Sequence, residues 1–219
     1  MIPSTLQGRR DFIVANTRLQ RPTHVDEIQL YLADEITPIW KLTEEALEEI
    51  GLPPPFWAFA WAGGQALARY VLDNPQWVTA KRVLDFASGS GIVGIAAMLA
   101  GAKAVTCADI DPYSQAAVSL NASVNGVTCE VLSEDLLEGP SPKVDVILAG
   151  DICYEKPLAE RVLAWLSAAR AAGALVLIGD PGRSYFPRSG LTRLAEHEVP
   201  TSRELEDMAV KRTGVWAMP

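Results

Sequence analysis

The feature that most limits the fold is the run Asp85-Phe86-Ala87-Ser88-Gly89-Ser90-Gly91-Ile92-Val93-Gly94, set between an apolar strand pattern at 82–86 and an apolar helix pattern at 92–100. Glycines at this spacing allow a tight turn, a close backbone approach to a ligand and close packing of helix on strand. The chain continues in the same rhythm. Strand patterns at 104–108, 127–132, 144–149 and 174–178 alternate with helix patterns at 112–125 and 157–171, stopped by Gly126 and Gly173. Apolar strands parted by helices predict an α/β fold, a mostly parallel sheet with helices on both faces. Residues 196–216 are expected to add two more strands as an antiparallel pair.

Upstream the pattern changes. Residues 1–74 read as an N-terminal extension, and 75–219 as the core of a single compact unit. In the extension we expect a strand at 28–32 and a helix from Thr37-Pro38 to about residue 50, with Thr as N-cap, Pro at the first turn and Gly51 as stop. Pro53-Pro54-Pro55 is a stiff linker. It leads into Phe56-Trp57-Ala58-Phe59-Ala60-Trp61 and a helix over 65–72 opened by Gly63-Gly64.

With 49% hydrophobic and 21% charged residues the composition is that of a soluble globular protein. A net charge of −8 argues against a broad nucleic-acid surface, which needs clustered Lys and Arg. No apolar run is long enough to span a bilayer, and no N-terminal stretch reads as a signal peptide. Cys107, Cys129 and Cys153 are widely spaced and odd in number, as expected of reduced thiols in the cytoplasm. His24 and His197 lie far apart in sequence, so no metal site is expected. Nothing in the acidic composition calls for obligate assembly, and a monomer is expected.

Gly89-x-Gly91-x-x-Gly94 satisfies the dinucleotide fingerprint, and Asp109 closes the next strand where an acid can bind ribose hydroxyls. Spacing alone therefore leaves a nicotinamide or flavin enzyme open. Asp85, four residues before the first loop glycine, separates the alternatives. A carboxylate there repels a pyrophosphate arriving at the helix N-terminus, whereas a cationic, phosphate-free cofactor would be attracted. The bland alternative is a glycine-rich turn with a surface Asp. Asp-x-x-x-Gly-x-Gly resembles the loop of the Rossmann-like, seven-strand class I methyltransferases, whose donor is S-adenosylmethionine. That resemblance implies donor contacts from Asp85, Ala87, Ser88, Gly89 and Gly91, with Asp109 on the ribose. It also implies that Asp135 takes the adenine amino group while Leu136 packs near the ring. For Asp135 the plain reading of a turn or cap stands beside the ligand reading.

Gly150-Asp151-Ile152-Cys153-Tyr154 follows the fourth core strand, at the edge where open parallel sheets hold ligands. If this segment is helical, Asp151 and Tyr154 share one side, where carboxylate and phenol can orient an amine. The alternative is that Asp151 caps the helix beginning near Pro157. A lysine acceptor must lose its proton from a pKa near ~10.4, which burial among aromatic side chains favours. Asp151-x-x-Tyr154 resembles the signature of the family-16 protein-lysine methyltransferases. DNA adenine and glutamine methyltransferases carry Asn/Asp-Pro-Pro-Tyr/Phe here, and this chain has no proline after the Asp.

The segment from Pro55 to Leu67, with Thr37-Pro38-Ile39-Trp40 upstream, is similar to the one preceding the core in electron-transfer flavoprotein β-subunit lysine methyltransferases of bacterial type. Those enzymes usually show Trp-Pro-Gly-Gly, where this chain has Ala62. The resemblance covers roughly 28–216. It implies Trp61 and Gly150 beside the donor, Asp151 and Tyr154 as the catalytic pair, and the flavoprotein β-subunit as partner. Trp57 and Phe59 read better as core packing. The alternatives are a methyltransferase of another protein such as a ribosomal subunit, an NAD-dependent oxidoreductase, or a non-catalytic adaptor.

Overall fold

The computed structural model describes residues 3–34, 39, 54–201 and 208–219. The helix expected at 37–50, with Thr37, Pro38 and Trp40, lies outside the described residues. The elements are α1 (Leu6–Asn16), β1 (Arg18–Gln20), β2 (Leu30–Leu32), α2 (Ala62–Asp73), β3 (Arg82–Phe86), α3 (Ile92–Leu99), β4 (Ala104–Ala108), α4 (Pro112–Val124), β5 (Glu130–Leu132), β6 (Val146–Gly150), α5 (Lys156–Ala171), β7 (Leu175–Asp180), β8 (Thr192–Pro200) and β9 (Val210–Ala217).

Seven strands form one sheet in the order β5-β4-β3-β6-β7-β9-β8. The first five are parallel to their neighbours; β9 runs antiparallel to β7, and β8 antiparallel to β9. The order reverses between β3 and β6, so a crevice opens there beyond the carboxyl ends of the strands. The expected antiparallel pair is present, and β8 begins at Thr192, earlier than residue 196. Strand β5 is shorter than expected. Gly126 turns the chain at φ +67°, and the N–H of Val127 still bonds Ala122 of the preceding helix at 3.0 Å.

Both faces of the central strands are buried, and the side-chain period of two assigns each residue to a layer. Val83, Leu148 and Leu177 pack with Leu67 and Val71 of α2 and Ile95 of α3. Leu84, Ile147, Val176 and Ile178 pack on the other face with Val162, Trp165 and Leu166 of α5. Burying each such aliphatic side chain contributes roughly 1.5–3 kcal/mol. Strand β1, not expected from the sequence, pairs antiparallel with β2. Helix α1, equally unexpected, covers the outer side of α4. There Ile13 and Trp57 pack with Tyr113 and Ala117, and Trp57 stacks on Tyr113 at 6.0 Å. Trp57 is thus core, as expected, while Phe59 is only half-buried beside Trp61.

Two asparagines of α4 tie β2 to the core. Asn121 accepts the N–H of Tyr31 and donates to the carbonyl of Ser90, both at 2.8 Å; Asn125 bonds both backbone groups of Gln29. His24 and His197, distant in sequence, are neighbours in space, with Nε2···Nδ1 at 3.1 Å. Burial lowers the pKa of both. Among the described residues no three His, Cys, Asp or Glu side chains gather as a metal site, and no helix is long and apolar enough to cross a membrane.

Candidate active site

The loop after β3 is set by its glycines and by two carboxylates. Gly91, at φ +79°, carries the chain into α3, and a Cβ there would meet Val118 at 3.0 Å. A Cβ on Gly94 would lie 2.5 Å from the Cys107 sulfur, so α3 can rest on β4 only without one. Asp85 lies beneath the loop, 1% exposed, with Oδ2 accepting the N–H of Gly94 at 2.8 Å. Burial pushes its pKa well above the usual carboxylate range. This acid anchors the first turn of α3 from beneath the loop. Asp109 acts from β4: its two oxygens accept the N–H groups of Gly89 at 2.8 Å and Asp111 at 2.9 Å. Its pKa is raised by burial, and that of Asp111 is pushed up to about 6 for the same reason.

A cavity of about 500 Å³ opens at the crevice between β3 and β6. Ala87, Gly89, Asp109, Asp135, Leu136, Gly150, Asp151, Tyr154 and Trp61 all border it. Asp85 and Ser88 border a recess of about 40 Å³ behind the loop, and Gly91 borders neither. Nine of the twelve expected residues therefore share one cavity. Of the two readings made for Asp135, the turn cap is the one observed. Its Oδ1 caps the 3₁₀ turn Leu136–Glu138 through the N–H of Leu137 at 2.9 Å, and the residue still faces the cavity.

The loop after β6 departs from expectation. Residues 151–154 are not helical, and α5 starts only at Lys156 with Glu155 as N-cap. Asp151 sits at φ +56°, a costly conformation for a residue with a side chain. Instead of capping α5 it serves α2, whose own N-cap, Trp61, supplies no side-chain bond. Oδ2 of Asp151 accepts the N–H of Gly64 at 2.8 Å. The glycines make this approach possible: a Cβ on Gly63 would lie 2.3 Å from the carbonyl oxygen of Gly179, and one on Gly150 would lie 3.0 Å from Gly64. Tyr154 is 42% exposed at the cavity mouth, 5.6 Å from the Phe56 ring. Its phenol pKa is raised, first by burial.

Arg183 was missed. Its Nη2 donates to Oδ1 of Asp151 at 2.7 Å, and its Cζ lies 5.5 Å from the centre of the Trp61 ring. The signal was present in Asp180-Pro181-Gly182-Arg183, a turn carrying a cation directly after a core strand, on the edge where ligands bind. The indole N–H of Trp61 donates to the carbonyl of Phe56 at 2.9 Å, which braces the ring along the cavity wall.

The fold recurs in known methyltransferases. The family model of ribosomal protein L11 methyltransferase (PrmA) matches residues 66–171. The ribosomal protein L11 methylase of Lactobacillus delbrueckii subsp. bulgaricus superposes with a TM-score of 0.52 at 22% identity, covering 73% of this chain and 79% of that one. Magnesium protoporphyrin IX methyltransferase of Synechocystis, solved with bound S-adenosylmethionine, gives 0.52 at 16% identity, covering 71% and 78%. The architecture is the Rossmann-like fold of the class I methyltransferases. Relatives are more specific. The electron transfer flavoprotein beta subunit lysine methyltransferase of Rattus norvegicus is 38% identical over 196 residues, 87% of this chain and 76% of that protein. Its counterpart in Danio rerio is 36% identical over 214 residues, 94% and 82%. The chain belongs to the family of the electron transfer flavoprotein β-subunit lysine methyltransferases.

Proposed function

We propose that the chain methylates a lysine of the electron-transfer flavoprotein β-subunit, with S-adenosylmethionine as donor. The observation that carries this reading is the shared cavity, which borders Gly89, Asp109 and Asp135 at one end and Asp151, Tyr154 and Trp61 at the other. Its volume suits a nucleoside with an amino-acid tail, and the recess behind the loop offers room near Ser88 and Asp85. When bound, the donor supplies an electrophilic methyl group.

The placement of the protein residues supports the following roles. Asp109 offers carboxylate oxygens to a ribose diol, and Asp135 offers an acceptor to an adenine amino group. Ala87, Gly89 and Gly150 present backbone rather than bulk, while Leu136 and Trp61 supply apolar wall. Asp151 and Tyr154 orient the acceptor amine, so that positioning supplies most of the rate. Unpaired thiols at Cys107, Cys129 and Cys153 fit a reducing cytoplasm, and we propose a cytoplasmic monomer.

The test is methyl transfer from labelled donor to the purified flavoprotein, with Asp151→Asn as control. The reading predicts label on a lysine of the β-subunit, and a loss of at least about tenfold in the variant with S-adenosylhomocysteine binding retained. Full methylation by the variant would remove Asp151 from its role. Label on another protein alone, such as a ribosomal subunit, would overturn the acceptor.

A further inference from the structure

Arg183 is fixed from two directions. Oδ1 of Asp180, at the end of β7, accepts the N–H groups of Gly182 and Arg183, each at 2.7 Å. That turn sends the guanidinium back across the strand ends, where Nη2 and Nε approach the same Asp151 oxygen at 2.7 and 3.2 Å. The side chains of Arg183 and Asp151 are only 19% and 11% exposed, so the pair is poorly screened. A lone carboxylate at Asp151 would attract the acceptor as an ammonium, the form that cannot attack a methyl group. A guanidinium already in contact offsets that attraction and adds repulsion.

We infer that Arg183 is a positioning residue for the methyl transfer: it locks Asp151 and Trp61 along the cavity wall and balances the Asp151 charge, so that the target lysine is held as the neutral amine. This role rests on the lysine-acceptor reading. The ammonium gives one proton to water. The freed lone pair then forms the new N–C bond while the methyl–sulfur bond breaks, its electron pair passing to sulfur. Other ionisable groups face the same place. Asp180 is buried, with a pKa pushed up to about 7, and the Cys153 thiol is pushed up to about 12. The Tyr154 phenol is raised, first by burial and then by the charges of Glu155 and Asp109. Asp111, the N-cap of α4, borders the cavity, as do Arg161 and Asp135.

The experiment follows kcat with pH between about 6 and 10 on the flavoprotein β-subunit, which reports groups in the enzyme–substrate complex. It compares the full chain with Arg183→Gln, Arg183→Lys and Asp180→Asn. Calorimetric binding of S-adenosylhomocysteine verifies that each variant is folded. In Arg183→Gln the rise of kcat should move up by about one pH unit, a loss of about tenfold near neutral pH that is recovered at high pH. Arg183→Lys keeps the cation and should keep the wild-type midpoint, even if kcat falls. Asp180→Asn should keep the rise, because the acceptor amine is the titrating group. An unshifted midpoint in Arg183→Gln would overturn the inference while leaving the lysine acceptor intact. So would a shifted midpoint in Arg183→Lys, or loss of the rise in Asp180→Asn. A wild type that binds S-adenosylhomocysteine yet transfers nothing at any pH would overturn the acceptor reading and this role with it.

Discussion

Replacing Gly63 with alanine would break the packing that holds the acceptor side of the cavity. The added Cβ would lie 2.3 Å from the carbonyl oxygen of Gly179 and 2.6 Å from Oδ2 of Asp151. Neither neighbour is the free end of a flexible side chain. One is backbone of β7, and the other is held by Gly64 and Arg183. Overpacking a dense site costs about 1–3 kcal/mol, and a backbone neighbour puts Gly63 at the upper end. Alanine returns up to about 1 kcal/mol through its better helix propensity. The net loss is about 2 kcal/mol, or roughly 4–8 °C in Tm for a chain of this size. Gly64→Ala is the matched control, in the same helix, where the new Cβ meets side-chain carbons of Ile92 at 3.3 Å and Val93 at 4.0 Å. It should stay within about 1 kcal/mol of wild type. Thermal and urea unfolding of both variants measure the difference. Equal stability of Gly63→Ala and Gly64→Ala would refute the argument that close helix-to-sheet approach requires Gly63.

Two further outcomes are expected. Burial raises the Asp180 pKa to about 7, so the folded state holds a proton that the unfolded chain releases from about pH 4 upward; stability should fall between about pH 4 and 7 and level off above. Asp180→Asn should remove that slope, worth up to about 4 kcal/mol, as followed by urea unfolding across this range; an unchanged slope would assign it to the other buried carboxyls with raised pKa, Asp85, Asp109 and Asp111. Asn121→Ala leaves the N–H of Tyr31 and the carbonyl of Ser90 unpaired, at about 1–3 kcal/mol each; it should lower Tm and weaken S-adenosylhomocysteine binding, since Ser90 belongs to the glycine loop, and calorimetry showing unchanged affinity would separate the loop from this bond.

The parallel core was legible because its signals are local. A strand buried on both faces reads as an apolar run, and a helix after it ends on glycine, so β3 and β4 stand at 82–86 and 104–108 as expected. The glycine loop and Asp109 were legible for the same reason, since strand, turn and helix are consecutive. The N-terminal α1 carried little pattern: Ile13 is its only buried residue, and with one apolar anchor there is no stripe to read. The roles of Asp151 and Asp85 were legible in position but not in contact. Their chain positions put them at the ligand edge, yet each spends an oxygen on a helix N-terminus that no sequence window connects to it.

Residue spacing alone thus set the strand–loop–helix order and the acidic residues at the strand ends, while Asp151-x-x-Tyr154 and the aromatic segment suggested by resemblance the family that the relatives show. Only the tertiary structure decided that Arg183 meets Asp151 and Trp61, that Gly63 meets Gly179, and that His24 meets His197. These contacts depend on how the strands are ordered and how loops fold back across their ends. Patterns of period two and 3.6 place a side chain on a face, but its partner across the sheet is chosen by packing.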